Sequence, residues 1–179
     1  MGRILRIADL AEYGRARRVQ GERIVFTNGH FDLLHVGHVR YLQAARALGD
    51  LLIVGVNDDA STTARKGTFR PIVPVHERAE MLAALGCVDG VVVFAGLTAN
   101  EPIALLQPNI YVKGGDYAVS ADDERAGKTP LSEAPLVRAY GGAVLTVPLV
   151  PGRSTTDIER AILRAHGCIK GEGTHGEDD

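Results

Sequence analysis

Phe26-Thr27-Asn28-Gly29-His30-Phe31-Asp32-Leu33-Leu34-His35-Val36-Gly37-His38 is the stretch that decides the fold. The apolar run Ile24-Val25-Phe26 that leads into it reads as a buried strand. The run breaks at Asn28-Gly29, and His35-Val36-Gly37-His38 then opens an amphipathic segment in which Val39, Leu42, Ala45 and Leu48 share one face. Two imidazoles three residues apart at the mouth of a helix lie on one side of it. Gly37 between them has no side chain, so a phosphate can come close to the backbone. The helix start adds unpaired N–H groups and a positive dipole end. Together these features suit stabilisation of negative charge on a phosphate.

Working outward, short apolar runs rich in branched residues recur at 23–27, 51–56, 90–94, 109–113 and 143–149. Each is apolar on both faces, as strands inside a parallel sheet are. Helix-period segments separate them: Glu77–Leu85 after Pro74, Glu101–Leu106 before Pro108, and Thr155–Ala165, whose Ile158, Ile162 and Leu163 are expected to face the core. Strands alternating with helices predict an α/β fold with a single doubly wound parallel sheet, whose ligands bind at the carboxyl ends of the strands. Three segments lie outside the pattern. Residues 1–22 carry a lead-in helix around Ile7–Arg18. Val119–Pro135 is polar, contains Pro130 and Pro135, and reads as an extended loop. Residues 167–179 are Gly-rich and acidic, and read as a disordered tail after a domain at 23–166.

Bulk properties narrow the function classes. The 179 residues suit one domain with a sizeable core. A formal net charge of −2 gives no long-range attraction for nucleic acid or an anionic membrane. No apolar run approaches the roughly 18 residues a membrane span needs, and no signal peptide is evident, so the expected location is the cytoplasm. Cys87 and Cys168 form neither a CxxC pair nor a metal spacing. His35 and His38 without an HExxH glutamate give no zinc set, and no metal site is expected in the protein. Gly127-Lys128-Thr129 resembles the end of a P-loop, but Asp122 stands where the earlier glycine is required.

The strand, Asn28-Gly29, Phe31-Asp32 and His35-x-Gly37-His38 resemble the cytidylyltransferase-like nucleotidyltransferases. Further segments match in order: Gly55-Val56-Asn57-Asp58-Asp59, Lys66-Gly67 with Arg70-Pro71-Ile72, Lys113-Gly114-Gly115-Asp116-Tyr117, and Gly152-Arg153-Ser154-Thr155-Thr156. Within that family they are most similar to the adenylyltransferase domains that make ADP-heptose from heptose 1-phosphate. The resemblance implies a Rossmann-like HxGH fold and AMP transfer from ATP to a sugar 1-phosphate, with Mg²⁺ on the triphosphate. It also implies a homodimer, and a separate sugar kinase in the same pathway, because the kinase domain fused to some relatives is not in this sequence. A glycerol- or polyol-phosphate cytidylyltransferase using CTP is the alternative enzyme, and a non-catalytic nucleotide-sensing module the alternative from another class. A dinucleotide oxidoreductase fits poorly, since no GxGxxG follows the first strand.

The resemblance also implies roles. His35, His38 and Lys66 would be catalytic, stabilising phosphate charge. Phe26, Thr27, Asn28, Gly29, Gly37, Lys113, Gly115, Asp116, Gly152, Ser154, Thr155 and Thr156 would bind the nucleotide. His30, Asp32, Asn57, Asp58, Arg70 and Tyr117 would meet the acceptor, Asp32 through the sugar or a metal-bound water. Plain structural readings stand beside these: Asn28, Asp32 and Ser154 as helix caps, and Gly114-Gly115-Asp116 as a turn. His30 stands where heptose-type members carry Cys, and the Val119–Pro135 loop is longer than in typical members.

Overall fold

Ile24, Val25 and Phe26 alternate between two apolar cores, as do Leu52, Ile53 and Val54. Period-2 alternation with both faces apolar is what a strand covered by helices on each side requires. A computed structural model of the chain describes residues 2–115, 117–119, 121–148, 150 and 152–168. Its parallel sheet contains β1 (Arg3–Leu5), β2 (Ile24–Gly29), β3 (Leu51–Asn57), β4 (Gly90–Phe94), β5 (Ile110–Gly114) and β8 (Ala143–Val147), in the order β1-β4-β3-β2-β5-β8. Two further short strands, β6 (Tyr117–Ala118) and β7 (Thr129–Pro130), pair with each other. The helices are α1 (Leu10–Val19), α2 (Val36–Arg46), α3 (Asp59–Lys66), α4 (Val75–Ala84), α5 (Asn100–Leu106), α6 (Ala121–Arg125), α7 (Ala134–Ala139) and α8 (Thr155–Ala165).

One core gathers Val25, Leu42, Leu52, Val54 and Leu82 beneath α2 and α4. The other gathers Leu10, Phe26, Ile53, Ile103, Tyr111 and Val137 beneath α1, α5 and α7. A fully buried Val, Leu or Ile contributes about 1.5–3 kcal/mol, so these two layers, rather than the short edge strands, hold the sheet. The chain leaves β2 for β3 and β4 on one side, then crosses to β5 on the other. The order therefore reverses at β2/β5, and a crevice opens there at the strands' carboxyl ends.

The expected doubly wound α/β sheet is present, with five local differences. Arg3–Leu5 is an edge strand pairing with β4, and the first helix starts at Leu10 after a 3-10 turn; a three-residue strand is too short to show alternation. Asp59–Lys66 is a helix that hydrophobic pattern cannot reveal, since its buried residues are Ser61 and Thr62.

Val119–Pro135 is not a plain loop. It contains α6, β7 and the start of α7, and buries Leu131, Glu133 and Ala134. Two apolar side chains and one internally bonded carboxylate are enough to anchor its second half. Finally, α8 buries none of its residues, and Ile162 and Leu163 are exposed rather than core-facing. The helix meets the domain through polar residues at its N-terminal end, such as Glu159, which pairs with Arg70. Residues 169–179 of the expected tail lie outside the described residues.

Candidate active site

His35 has extended backbone (φ −141°, ψ 168°) and caps α2, its Nδ1 accepting the Gly37 N–H at 3.1 Å. The cap is thus His35, not Asn28 or Asp32. Because Nδ1 accepts, the neutral ring carries its proton on Nε2, which remains a donor. The His35 and His38 rings stack with centroids 3.9 Å apart, and Phe31 meets His38 edge-on at 5.3 Å. Phe31 is buried at φ +48°, a left-handed conformation uncommon for an aromatic residue and found where surroundings over-determine it. His38 Nδ1 is buried with no hydrogen-bond partner among the described residues. Burial pushes His38 down to about 4, with the neighbouring His35 adding to it, and burial lowers His35 as well. Both imidazoles are therefore neutral near pH 7.

Gly37 does more than leave room for a ligand. A Cβ there would lie 2.8 Å from the His35 ring and 3.2 Å from the Arg153 carbonyl oxygen. The first turn of α2 thus abuts the segment leading into α8. Ser154 caps α8, accepting the Asp157 N–H at 3.1 Å and donating its hydroxyl to Asp157 Oδ2 at 2.7 Å. That hydroxyl is engaged within the helix start, so the residues left to meet an anion are Thr155 and Thr156 with their first-turn N–H groups.

Three adjoining chambers share this end of the sheet. The first, about 390 Å³, lies among His38, Lys66, Arg70, Thr155, Thr156 and Glu159. The second, about 370 Å³, runs past His35, His38 and Ser154 to Lys113, Gly114 and Tyr117. The third, about 390 Å³, lies on the β3–β4 side among Asn57, Arg65, Thr98, Ser132 and Glu133. His30 and Lys66 line all three. Lys66 ends α3 next to Arg65, where cations complement the carboxyl-terminal dipole.

His30 Nδ1 lies 3.0 Å from Thr62 Oγ1. Since that hydroxyl donates to the Asp58 carbonyl at 2.8 Å, His30 is the donor to it and keeps Nε2 as an acceptor. Burial first, then Lys66 and Arg65, pull His30 down to about 4. Lys113 Nζ donates to Asn28 O at 3.0 Å and Oδ1 at 3.2 Å, which leaves a third N–H.

Asp32 accepts from Arg70 at 2.8 Å, Ile72 N at 2.8 Å and Val73 N at 3.0 Å. Burial works to raise this carboxyl, but the bonds from Val73, Arg70 and Ile72 outweigh it and hold it below the usual range. Asp32 shapes the wall that carries Arg70, and Arg70 also reaches Glu159 on α8. Asn57 donates to Gly96 O at 3.0 Å, and Asp58 caps α3 through Ser61 N at 2.8 Å.

Most of the expected site residues therefore converge, but several do not line the chambers. Phe26 is fully buried in the core against Tyr111. Thr27 is fully buried with its hydroxyl 2.6 Å from Tyr41 Oη. Asp58, Gly115 and Gly152 are absent from the lining, and Asp116 lies outside the described residues. Among the residues sequence reasoning missed, Arg78 stands out. It is fully buried and donates to Asp59 at 2.7 Å, to Val73 O at 2.9 Å and to His30 O. Its signal was available: Arg78 falls on the α4 stripe with Ala79, Leu82 and Ala83.

The Cytidylyltransferase-like family model matches residues 26–161. The chain is 51% identical over 152 residues to the Bifunctional protein HldE of Geobacter sulfurreducens, covering 85% of this chain and 29% of that one. It is 52% identical over 145 residues to the Bifunctional protein HldE of Pseudomonas aeruginosa, covering 81% and 29% respectively. The chain thus spans about 30% of the length of these curated relatives. Among solved structures, the lipopolysaccharide core biosynthesis protein of Thermoplasma volcanium matches with TM-score 0.55 at 25% identity, over 73% of this chain and 98% of that one.

Proposed function

The chain belongs to the Cytidylyltransferase-like family of nucleotidyltransferases, and from that premise we propose that it transfers AMP from ATP to a sugar 1-phosphate. Heptose 1-phosphate is the leading acceptor, giving ADP-heptose and pyrophosphate. The observation that carries the transfer reading is the stacked His35–His38 pair sharing a chamber with Thr155, Thr156 and Lys66. The choice of a heptose rests on the segment resemblance and on relatives named HldE and a lipopolysaccharide core biosynthesis protein.

An acceptor phosphate oxygen attacks the α-phosphorus of ATP. One P–O bond forms, the bond to the α–β bridging oxygen breaks, and that electron pair leaves with pyrophosphate. The attacking oxygen is already deprotonated near neutral pH, so no general base is needed and catalysis is positioning plus charge stabilisation. His35 Nε2–H and His38 donate to phosphate oxygens as charge moves onto the leaving group. Lys66 and Arg70 hold the β- and γ-phosphates over the α8 start, while Lys113, Gly114 and Tyr117 border the nucleoside. Donors placed where charge develops are worth about 100- to 1,000-fold in rate each.

Mg²⁺ would travel with the triphosphate. Among the described residues no three His, Cys, Asp or Glu side chains gather to cage a metal, and Asp32 and Glu159 are engaged with Arg70. Its ligands would be phosphate oxygens and water, and it would neutralise charge on the leaving group.

A homodimer would cover the exposed Ile162 and Leu163 of α8, and light scattering on the purified protein checks it. A sugar kinase activity would supply the sugar phosphate. Among the described residues no helix is long and apolar enough to cross a membrane, and a cytoplasmic site of action is part of the same proposal. The deciding experiment measures pyrophosphate release for each of the four nucleoside triphosphates against a panel of sugar and polyol phosphates. A higher kcat/KM for CTP than for ATP with every acceptor transfers the assignment to a cytidylyltransferase. No release with any pair, despite nucleotide binding, leaves a sensing module.

A further inference from the structure

We infer that Glu133 determines acceptor specificity by binding hydroxyls of the sugar in the third chamber. The inference rests on the adenylyltransferase reading and names a residue that reading leaves without a role. An in-line displacement places the entering and leaving oxygens on opposite sides of phosphorus. With pyrophosphate held by His35, His38 and the α8 start, the α-phosphate lies at the wall shared with the third chamber, where Asn28, His30, Lys66 and Lys113 stand. The acceptor must then enter from the chamber that contains neither His35, His38 nor α8.

The chemistry of that chamber is graded. Lys113 at the shared wall and Arg65 inside the third chamber concentrate positive charge there, which suits the acceptor's phosphate. Beyond them stand Asn57, Ser132 and Glu133, an amide, a hydroxyl and a carboxylate. A carboxylate would repel a phosphate, so the phosphate stays at the cationic end and the polyol reaches Glu133. Only 6% exposed, Glu133 still borders the cavity. Its Oε1 accepts from Ala99 N at 3.1 Å and its Oε2 from Ser132 Oγ at 2.9 Å. Each carboxylate oxygen can accept a second hydrogen bond. Tyr111 and Lys113 also act on this carboxylate, and the lone pairs left over, held in place by Ala99 and Ser132, suit sugar O–H donors. A compact acceptor such as glycerol phosphate has fewer hydroxyls to reach them.

Anchoring of the 119–135 segment to α5 through Ala99 is the competing, purely structural role for Glu133. The test separates the two. Glu133→Gln keeps a carbonyl oxygen for Ala99 N–H and removes the charge, and Ser132→Ala loosens only the Oε2 side. Pyrophosphate release is measured with ATP against heptose 1-phosphate, mannose 1-phosphate and glycerol 3-phosphate, and thermal melting checks each fold. The expected result is a roughly tenfold or greater rise in KM for heptose 1-phosphate in Glu133→Gln, a smaller rise in Ser132→Ala, unchanged KM for ATP, and little change with glycerol 3-phosphate. Wild-type turnover with an unchanged acceptor KM in folded Glu133→Gln overturns the subsite alone. Equal rises in KM for ATP and acceptor, or a lowered melting temperature with no selective change, also overturn it in favour of the anchoring role. No wild-type turnover with any sugar phosphate overturns the adenylyltransferase reading and the subsite with it.

Discussion

The imidazole rings of His35 and His38 lie 3.9 Å apart, inclined by 29°, with Nδ1 of His35 tied to the backbone of α2. Stacked neutral rings pre-place two donors without holding two like charges together. His38→Ala removes one of them and should lower kcat ~100-fold or more while the protein stays folded. Steady-state kinetics with circular dichroism checks this. Near-wild-type kcat in folded His38→Ala would remove the pair from the mechanism.

The same burial makes stability depend on pH. Burial, then the nearby Lys66, holds His30 at about 4, and burial, then His35, holds His38 at about 4, against 6.5 for a free imidazole. Between these values the unfolded chain binds more protons than the native one. Their contribution is therefore complete above about pH 6.5 and is lost as pH falls toward 4. Asp32 is held low and contributes at all pH values above the carboxylate range, so its loss sets in only at the acid end of that window and continues below it. Melting temperature should fall steadily from pH 6.5 to 4.5, and less steeply in His38→Gln. A flat profile over that range contradicts the buried, neutral histidines.

The sheet and the helix start that carries His35 and His38 were legible because their signals are local and periodic. Ile24-Val25-Phe26 announces a two-faced strand, and His35-x-Gly37-His38 announces a helix start. What escaped was set by distance in the chain. Thr27 sits in a matching segment, yet strand alternation turns it toward Tyr41, 14 positions away. Asp32 is bonded to residues about 40 positions on. The apolar stripe of α8 was visible as a pattern, but periodicity says only that a face is apolar, not that this chain covers it. Glu133 looked like one more charge in a polar run, because its burial depends on α5.

Arg78 should tolerate no replacement. Its guanidinium joins the start of α3 and two loops that shape the site, through Asp59, the Val73 carbonyl and the His30 carbonyl. Arg78→Met leaves the Val73 and His30 carbonyls unpaired, at about 1–3 kcal/mol for a buried unsatisfied acceptor, while half-exposed Asp59 turns to water. Arg78→Lys restores the charge but not the fork that serves several acceptors at once. Urea unfolding should show a lower midpoint for both variants, with Arg78→Lys intermediate, and the lysine variant should show a raised KM for ATP. Wild-type midpoints would mean that the three segments are held by other contacts.

The 119–135 segment divides into an anchored half and an open half, and proteolysis should read the division. Leu131, Glu133 and Ala134 are buried, whereas the Arg125 side chain is 73% exposed beside exposed Ala126 and Gly127. The open half follows Tyr117, which borders both the second and the third chamber. Closing it over bound substrates would exclude the water that competes with the acceptor for the α-phosphate. Trypsin should therefore cut after Arg125 in the free protein, and cut more slowly with a non-hydrolysable ATP analogue plus sugar phosphate. Cleavage at the same rate with and without ligands would make the open half a peripheral insertion with no part in the reaction.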